Sequence, residues 1–397
     1  MFGVECSEFG VATKNTEPRT QNPGLTTQNT KPKTPNSEPR TQNPEHRTQN
    51  TELKTQNSEP IIPQLKKMTD RKKDHIDLAF SSRTEATDAD RRFHYEPMLA
   101  AHHNGRFDEF DFAGKTMKLP VWVSSMTGGT QRAGTINRNL ATACGEFGMG
   151  MGLGSCRSLL DDDTHFPDFD VRRYMGKSAP LYANLGIAQI EKLIATGSEE
   201  KAEVLVHNLQ ADGLIIHVNP LQEAFQPEGD ILKAPPIETI EAFLAKTDLR
   251  VMVKEVGQGM GPASLERLLA LPLEAIEFGA LGGTNFSRLE LSRVTGDKAS
   301  HFDAFGRIGH TAAEMTGFIN EIVAKQAAKC QQIIISGGIT NVPDGWYLTQ
   351  QSKLKAVFGM GSAFLKYAMD DYETLQTFVE QLRKALGIAQ NFMRPIH

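Results

Sequence analysis

The sequence of 397 residues has few cysteines, no long apolar runs and no excess of basic residues. Its four cysteines are far apart and form no Cys-x-x-Cys pair, which argues against a zinc cluster or a disulfide framework and favours a reducing compartment. No apolar run approaches the roughly 20 residues of a membrane helix, and the N-terminus lacks the apolar core of a secretory signal. The net charge of −5 argues against non-specific nucleic-acid binding. We therefore expect a cytoplasmic protein with no membrane and no nucleic-acid partner.

Aromatic residues are absent from residues 10–67, where Thr-x-Asn recurs every seven residues from Thr13. This heptad lacks the apolar a and d positions of a coiled coil, and eight prolines interrupt it. Such a segment cannot bury enough apolar surface to offset the entropy cost of ordering it. We expect residues 1–67 to be a disordered low-complexity extension, either a tail that binds a partner or a segment with no role in the chemistry.

Met68 begins the segment MTDRKKDHIDLAF, which is typical of an authentic N-terminus. We hypothesise that translation starts at Met68 and that the upstream repeat is translated repetitive DNA, so that residues 68–397 form the functional domain. Mass analysis of the natural protein tests this, because tryptic peptides from residues 15–60 would refute it.

After residue 115, apolar runs alternate with amphipathic stretches. Most of these runs are continuously apolar, as expected for strands buried on both faces. Eight such alternations predict an α/β protein with a (β/α)8 TIM barrel, and the alternative is an open doubly wound sheet. Residues 68–115 should pack beside or over the barrel, and 293–310 should form a lid or mobile loop. The predicted strands are 120–124, 149–153, 181–184, 213–217, 250–254, 275–278, 332–336 and 355–360.

Polar or glycine clusters follow each predicted strand, and in a barrel these strand ends share the catalytic face. Gly337-Gly338 and Gly359 with Gly361 follow the seventh and eighth strands, where barrels commonly bind phosphate through backbone N–H groups. Each glycine pair alone is equally compatible with a simple turn. Together they predict a phosphorylated cofactor such as FMN, with Thr284 adding a hydroxyl.

Other polar side chains at the strand ends are candidates for binding a flavin ring or an anion. Lys254 ends an apolar strand, where its ammonium would stabilise an anionic reduced flavin, although it would alternatively extend to solvent. His217, Asn219, Gln222 and Glu223 share one loop, and a carboxylate suits Mg²⁺; alone, His217 would be a core histidine and Glu223 a surface carboxylate. Basic side chains suited to phosphate contact are Arg71, Lys72 and Arg157.

These motifs resemble the type 2, FMN-dependent isopentenyl diphosphate isomerase family over about residues 68–370. IHVNPLQE at 216–223 followed by QPEGD at 226–230 is the most specific match. The other matching motifs are RKKDH at 71–75, SSMTGG at 124–129, GSCR at 154–157, ANLG at 183–186, VKEVG at 253–257, GGTNF at 282–286 and SGGI at 336–339.

The resemblance implies interconversion of isopentenyl and dimethylallyl diphosphate in isoprenoid biosynthesis, with FMN, Mg²⁺ and NADPH or NADH, by a homo-oligomer, commonly a tetramer or octamer. We expect His217, Asn219 and Gln222 to be catalytic and Glu223 to bind the metal. The implied substrate contacts are Arg71, Lys72, Ser155, Cys156, Arg157 and Gln222. The implied FMN contacts are Ser125, Met126, Thr127, Ser155, Asn184, Lys254, Thr284, Gly338, Ile339, Thr340, Gly361 and Ser362.

The implied reaction is a 1,3-proton shift with no net redox change. Protonating an alkene needs a strong, desolvated acid, and the sequence offers no obvious acid–base pair beyond His217 and Glu223. We therefore expect reduced flavin to carry the proton, with Gln222 positioning the substrate. The alternatives are an FMN-dependent dehydrogenase or oxidase, and a non-catalytic flavin- or phosphate-binding protein that would tolerate Gln222→Ala.

Overall fold

The computed structural model describes residues 71–125, 127, 131–293 and 302–396. The chain divides into two compact units, Met1–Arg83 and Thr84–His397. In the first unit, the described residues include an exposed helical segment at 71–78. The extension at 1–67 lies outside the described residues, so its disorder, the start at Met68 and the domain boundary there remain predictions.

The second unit contains a closed barrel of parallel strands in the order β10-β11-β4-β5-β6-β7-β8-β9. This closure confirms the predicted (β/α)8 barrel and excludes the open sheet. The strands are β1 (Phe93–Tyr95), β2 (Phe110–Phe112), β3 (Lys115–Met117), β4 (Val121–Val123), β5 (Gly150–Gly152), β6 (Leu181–Gly186), β7 (Gly213–Val218), β8 (Val251–Glu255), β9 (Ala275–Glu277), β10 (Gln332–Ser336), β11 (Lys355–Met360) and β12 (Met393–Pro395).

Helices follow the barrel strands and cover the outside of the sheet. The amphipathic stretches that separate the predicted strands include residues 189–196, 199–210, 236–246, 262–271 and 311–328, and each of them is largely helical. The helices are α1 (Gln131–Phe147), α2 (Phe166–Phe169), α3 (Arg172–Met175), α4 (Ile187–Thr196), α5 (Glu200–Asn208), α6 (Pro220–Phe225), α7 (Pro236–Leu244), α8 (Pro262–Leu269), α9 (Phe286–Arg293), α10 (Ala312–Lys325), α11 (Val342–Gln351), α12 (Ser362–Ala368) and α13 (Tyr372–Phe392). Among the described residues, no helix is both long enough and apolar enough to cross a membrane.

The lower half of the barrel interior is a wholly buried apolar layer. Trp122 fits there because the facing position on β5 is Gly150, where a Cβ atom would lie 2.2 Å from the indole ring. The β2–β3 hairpin closes this end of the barrel, and the Tyr182 hydroxyl donates to the carbonyl of Ala113 on it. The predicted N-terminal addition therefore contributes a plug through its last residues. The layer consists of Phe112, Ala113, Met117, Trp122, Tyr182, Ile215, Met252, Ala275, Ile334 and Val357.

The next inward-facing position of each strand, two residues further on, is polar or glycine, because side chains alternate between the two faces of a strand. His217 on β7 lies opposite Lys254 on β8, and Lys254 lies opposite Glu277 on β9. These residues form an upper layer at the carboxyl ends of the strands. Its members are Ser124, Gly152, Asn184, His217, Lys254, Glu277, Ser336 and Gly359.

The connection from β9 to β10 is only partly described, because residues 294–301 lie outside the described residues. Its described part includes α9 and a short 3₁₀ turn, Phe305–Arg307. The Gln258 side-chain amide donates to the carbonyls of Phe305 and Ile308 at 3.1 and 2.8 Å. This part of the predicted lid is therefore held against the end of β8.

Candidate functional site

A pocket opens on the barrel rim between the carboxyl ends of β8, β9, β10, β11 and β4. Seven of the predicted FMN contacts line it together. These seven are Lys254, Thr284, Gly338, Ile339, Thr340, Gly361 and Ser362. The structure thus brings the strand-end motifs of distant sequence segments into one concave site.

Two glycine loops form one wall of this pocket. A Cβ atom on Gly283 would lie 3.1 Å from the Gly338 nitrogen, and one on Gly282 would lie 3.1 Å from the Gly338 Cα. Gly337 and Gly338 have φ angles of +94° and +73°, which favour glycine. Within the described residues, the N–H groups of Gly338 and Ile339 have no hydrogen-bond partner. Free N–H groups on a side-chain-free wall suit a phosphate group.

Two buried hydroxyl groups lie at the end of β4, and one of them, that of Ser124, lines the pocket. Ser124 and Ser125 are buried, and their Oγ atoms have no hydrogen-bond partner among the described residues. Buried polar atoms without partners are rare in native proteins, so they indicate a bound molecule that completes their hydrogen bonds. Thr127 is half-buried, whereas Met126 lies outside the described residues.

Asn184 and His217 form a hydrogen-bonded pair next to the pocket. The Asn184 Nδ2 donates to the carbonyl of Leu153 at 3.0 Å, which directs its Oδ1 to the His217 Nδ1 at 2.8 Å. Because an amide oxygen can only accept, the Nδ1 carries the proton, and in the neutral ring the Nε2 then keeps its lone pair. His217 is therefore held in one orientation and one neutral tautomer.

His217 should stay uncharged across the physiological pH range. Burial, and secondarily the neighbouring Lys254 ammonium, lower the pKa of His217 to about 4. Because this pKa is lower in the folded than in the unfolded chain, its contribution to stability is complete above about pH 6.5 and declines towards pH 4. NMR titration, assigned with a His217→Gln variant, measures this; a midpoint near pH 6.5 in the folded protein would contradict the geometry.

The IHVNPLQE segment leaves β7 and enters α6, which Pro220 starts at its first position. The Asn219 Nδ2 donates to Gln222 Oε1 at 3.2 Å and to Glu223 Oε1 at 2.9 Å. Gln222 Nε2 in turn donates to Glu290 Oε1 at 3.2 Å. The three predicted residues of this loop therefore form one hydrogen-bonded chain that ends on a carboxylate of α9.

Glu290 is a site residue that sequence reasoning missed. It is buried, and its second oxygen pairs with the Arg293 Nη1 at 2.8 Å. No motif or strand end singles it out, because it lies within a helix that follows the GGTNF loop. Only the packing of α9 against α6 brings it to Gln222.

Glu223 is half-buried and held in place from two sides. Its Oε2 accepts the N–H of Asp230 at 2.8 Å, while Asn219 holds its Oε1. The Asn219 Oδ1 beside it is buried and has no partner among the described residues. The Asp230 Oδ2 also lies 3.7 Å from the Arg157 Nη1. Because the Asp230 N–H contacts Glu223, this ion pair brings the GSCR loop near the Glu223 carboxylate. Across the described ranges, no group of three or more His, Cys, Asp or Glu is arranged as a metal site.

One predicted contact, Cys156, is not available to a ligand through its side chain. The Cys156 side chain is buried in the apolar core, where burial raises its pKa to about 12, and its N–H donates to the carbonyl of Asn184. A substrate contact through this side chain does not fit the structure. Thr340 lines the pocket, but its hydroxyl donates to Asp344. Ser155 is exposed, as are Arg71 and Lys72 of the first unit.

No protein-family model matches the chain. An isopentenyl-diphosphate delta-isomerase of Rickettsia peacockii is 31% identical over 327 residues, which cover 79% of this chain and 91% of that protein. The protein of the same name from Rickettsia felis is 32% identical over 328 residues, covering 79% and 90%. The chain belongs to the isopentenyl-diphosphate delta-isomerase family. The predicted family, and with it the predicted class of enzyme, is confirmed.

Solved structures agree with the barrel fold. A flavocytochrome b2 variant with bound sulfite has a TM-score of 0.51 and 14% identity, over 75% of this chain and 71% of that chain. A mandelate oxidase variant with (S)-mandelic acid has a TM-score of 0.50 and 15% identity, over 75% and 81%. At this identity the likeness concerns the fold of this isomerase family member.

Proposed function

We propose that this chain interconverts isopentenyl diphosphate and dimethylallyl diphosphate by a 1,3-proton shift that uses FMN, Mg²⁺ and NADPH. One observation carries the proposal. The glycine-walled pocket and the hydrogen-bonded chain from Asn219 to Glu290 lie on the same rim of one barrel. A phosphorylated cofactor and a polar substrate group would therefore meet above the upper layer of the interior.

The residues of the rim pocket fit FMN. The N–H groups of Gly338 and Ile339 would receive the phosphate, and the free hydroxyls of Ser124 and Ser125 would complete hydrogen bonds to the ring. Lys254 supplies a buried positive charge for its pyrimidine edge. When bound and reduced by NADPH, FMN supplies the acid–base group that the alkene requires.

Glu223 fits Mg²⁺ in the common arrangement in which one carboxylate and the substrate phosphates share the ion. Its two oxygens are fixed by Asn219 and by the backbone of Asp230, so the carboxylate would not need to reorient in order to bind the ion. The unpartnered Asn219 Oδ1 offers a further oxygen donor. Arg157, Arg71 and Lys72 remain our proposed contacts to the diphosphate, and Ser155 remains a further proposed contact.

Gln222 is the side chain best placed to position the reacting carbons. Its amide is fixed at both ends, because Asn219 donates to its oxygen and Glu290 accepts from its nitrogen. The neutral His217 ring keeps a lone pair on Nε2 and can accept a hydrogen bond without adding charge. These groups orient the substrate and exclude water, while a proton moves between the two ends of the allylic unit.

Anaerobic incubation of the protein with FMN, NADPH, Mg²⁺ and isopentenyl diphosphate in D₂O tests the proposal. We expect dimethylallyl diphosphate that carries deuterium, detected by ¹H and ²H NMR. Folded, flavin-loaded protein that forms no dimethylallyl diphosphate would overturn the activity. A product free of deuterium would overturn the proton shift.

Assembly as a homo-tetramer or octamer, and a cytoplasmic location, remain part of this proposal through the family resemblance. Light scattering on the purified protein gives the mass of the assembly directly. A monomer at micromolar concentration would contradict the oligomer.

A further inference from the structure

Glu277 is a carboxylate inside the barrel that the proposed mechanism does not use. It lies on β9 in the polar upper layer, its exposed fraction is 0%, and neither of its oxygens has a hydrogen-bond partner among the described residues. Its neighbour in register on β8 is Lys254, whose Nζ lies 3.6 Å from Glu277 Oε1. The two side chains form a buried ion pair, and its Lys254 member lines the rim pocket.

A buried carboxylate without hydrogen bonds is costly, and here the attraction to an ammonium offsets that cost. The attraction is stronger than on the surface, because the protein interior screens charges less than water does. The same attraction holds the Lys254 ammonium inside the barrel. The burial of Glu277 is therefore explained by Lys254.

The pair also sets the net charge that a cofactor meets. His217, on the other side of Lys254, hydrogen-bonds the amide of Asn184 and forms no ion pair among the described residues. Glu255 follows Lys254 on the opposite face of β8, where its Oε2 accepts the N–H groups of Gly257, Gln258 and Gly259. The described charges of the upper layer are thus one ammonium and one carboxylate, which cancel.

We propose that Glu277 is a positioning residue that acts as the counter-charge of Lys254, so that the reduced flavin bound above them keeps its ring proton. This inference rests on the proposed function. Lys254 alone would favour the anionic reduced flavin, because an ammonium at the pyrimidine edge stabilises negative charge. The carboxylate behind it opposes a second negative charge, and the protonated form is the one that can supply a proton to an alkene.

The protonation state of the reduced flavin tests this inference without measuring turnover. In the FMN-loaded protein, reduced anaerobically, the absorption spectrum is followed against pH to find the midpoint between neutral and anionic reduced flavin. Glu277→Gln should lower this midpoint by at least about one pH unit, a tenfold change in the proton equilibrium. Glu277→Asp, which keeps the negative charge, should have a midpoint close to that of the wild type. Glu255→Gln, which removes another buried carboxylate, should destabilise the fold and leave the midpoint unchanged.

The unfolding of the apoprotein tests the ion pair itself. Lys254→Met and Glu277→Gln should each destabilise the protein, whereas the double variant should be more stable than either single variant, because no charge is then left buried alone. This double variant keeps the inference testable where Glu277→Gln alone does not fold. Additive destabilisation would overturn the pairing.

The possible failures are distinguishable. A wild-type protein that binds no FMN would overturn the proposed function and this inference with it. A protein that binds and reduces FMN, but whose midpoint is the same in Glu277→Gln and wild type, would overturn this inference alone.

Discussion

Replacing Gln222 by alanine should lower the rate of isomerisation by about 10²- to 10⁴-fold, in the range of a positioned group that acts at the reacting atoms. The amide of Gln222 is fixed between Asn219 and Glu290, so its loss removes one hydrogen bond from each of them and removes the group that we propose to face the substrate. The measurement is kcat for dimethylallyl diphosphate formation under anaerobic conditions, with FMN binding checked by absorbance.

Two comparisons make this test specific. Glu290→Gln should give a comparable loss, and combining it with Gln222→Ala should add little, because the two side chains act as one unit. Gln376→Ala, which removes an amide on the outer helix α13 that donates to Glu146, should leave kcat unchanged. Wild-type activity in Gln222→Ala would contradict the proposed positioning role of Gln222.

Replacing Glu223 by glutamine should weaken Mg²⁺-dependent activity by about 100-fold at limiting Mg²⁺, because a charged ligand becomes a neutral one. The amide keeps the size of the side chain and can still accept one of the two hydrogen bonds that hold it. The measurement is the activity as a function of Mg²⁺ concentration, and the loss should shrink as Mg²⁺ is raised.

Glu228→Gln is the matched control, because this carboxylate belongs to the same segment but is largely exposed. Its Oε1 lies 4.0 Å from the Arg293 Nη2. The Glu228→Gln variant should show the Mg²⁺ dependence of the wild type. If Glu223→Gln had the same Mg²⁺ dependence as the wild type, the proposed metal role of Glu223 would be wrong. The proposed flavin site would not be affected by that result.

The barrel strands were predictable from sequence, because a strand buried on both faces must be a short, continuously apolar run. All eight predicted runs are strands of the barrel, and the glycines after β10 and β11 do line the rim pocket. The hairpin that plugs the barrel was predicted only as an added segment. Its three-residue strands are too short to give a pattern, and most of its partners in the apolar layer, such as Tyr182 and Ile215, are far away in sequence.

The missed residues are those whose role depends on a contact between distant elements. Glu290 lies in a helix with an ordinary charge pattern, and Glu277 lies within the predicted strand 275–278 without belonging to any motif. Their roles become visible only in the folded structure, where packing places Glu290 beside Gln222 and Glu277 beside Lys254. Cys156 is the opposite example, because the GSCR motif implies a substrate contact, whereas the Cys156 side chain is buried in the apolar core.

Titration of the apoprotein with FMN and with riboflavin tests the flavin site most directly. The glycine-walled pocket should bind FMN one to one and riboflavin at least about 100-fold more weakly, because riboflavin lacks the phosphate for the free N–H groups of Gly338 and Ile339. Absorbance and flavin fluorescence give both dissociation constants. Equal affinity for the two flavins, or no binding of FMN by folded protein, would contradict the account.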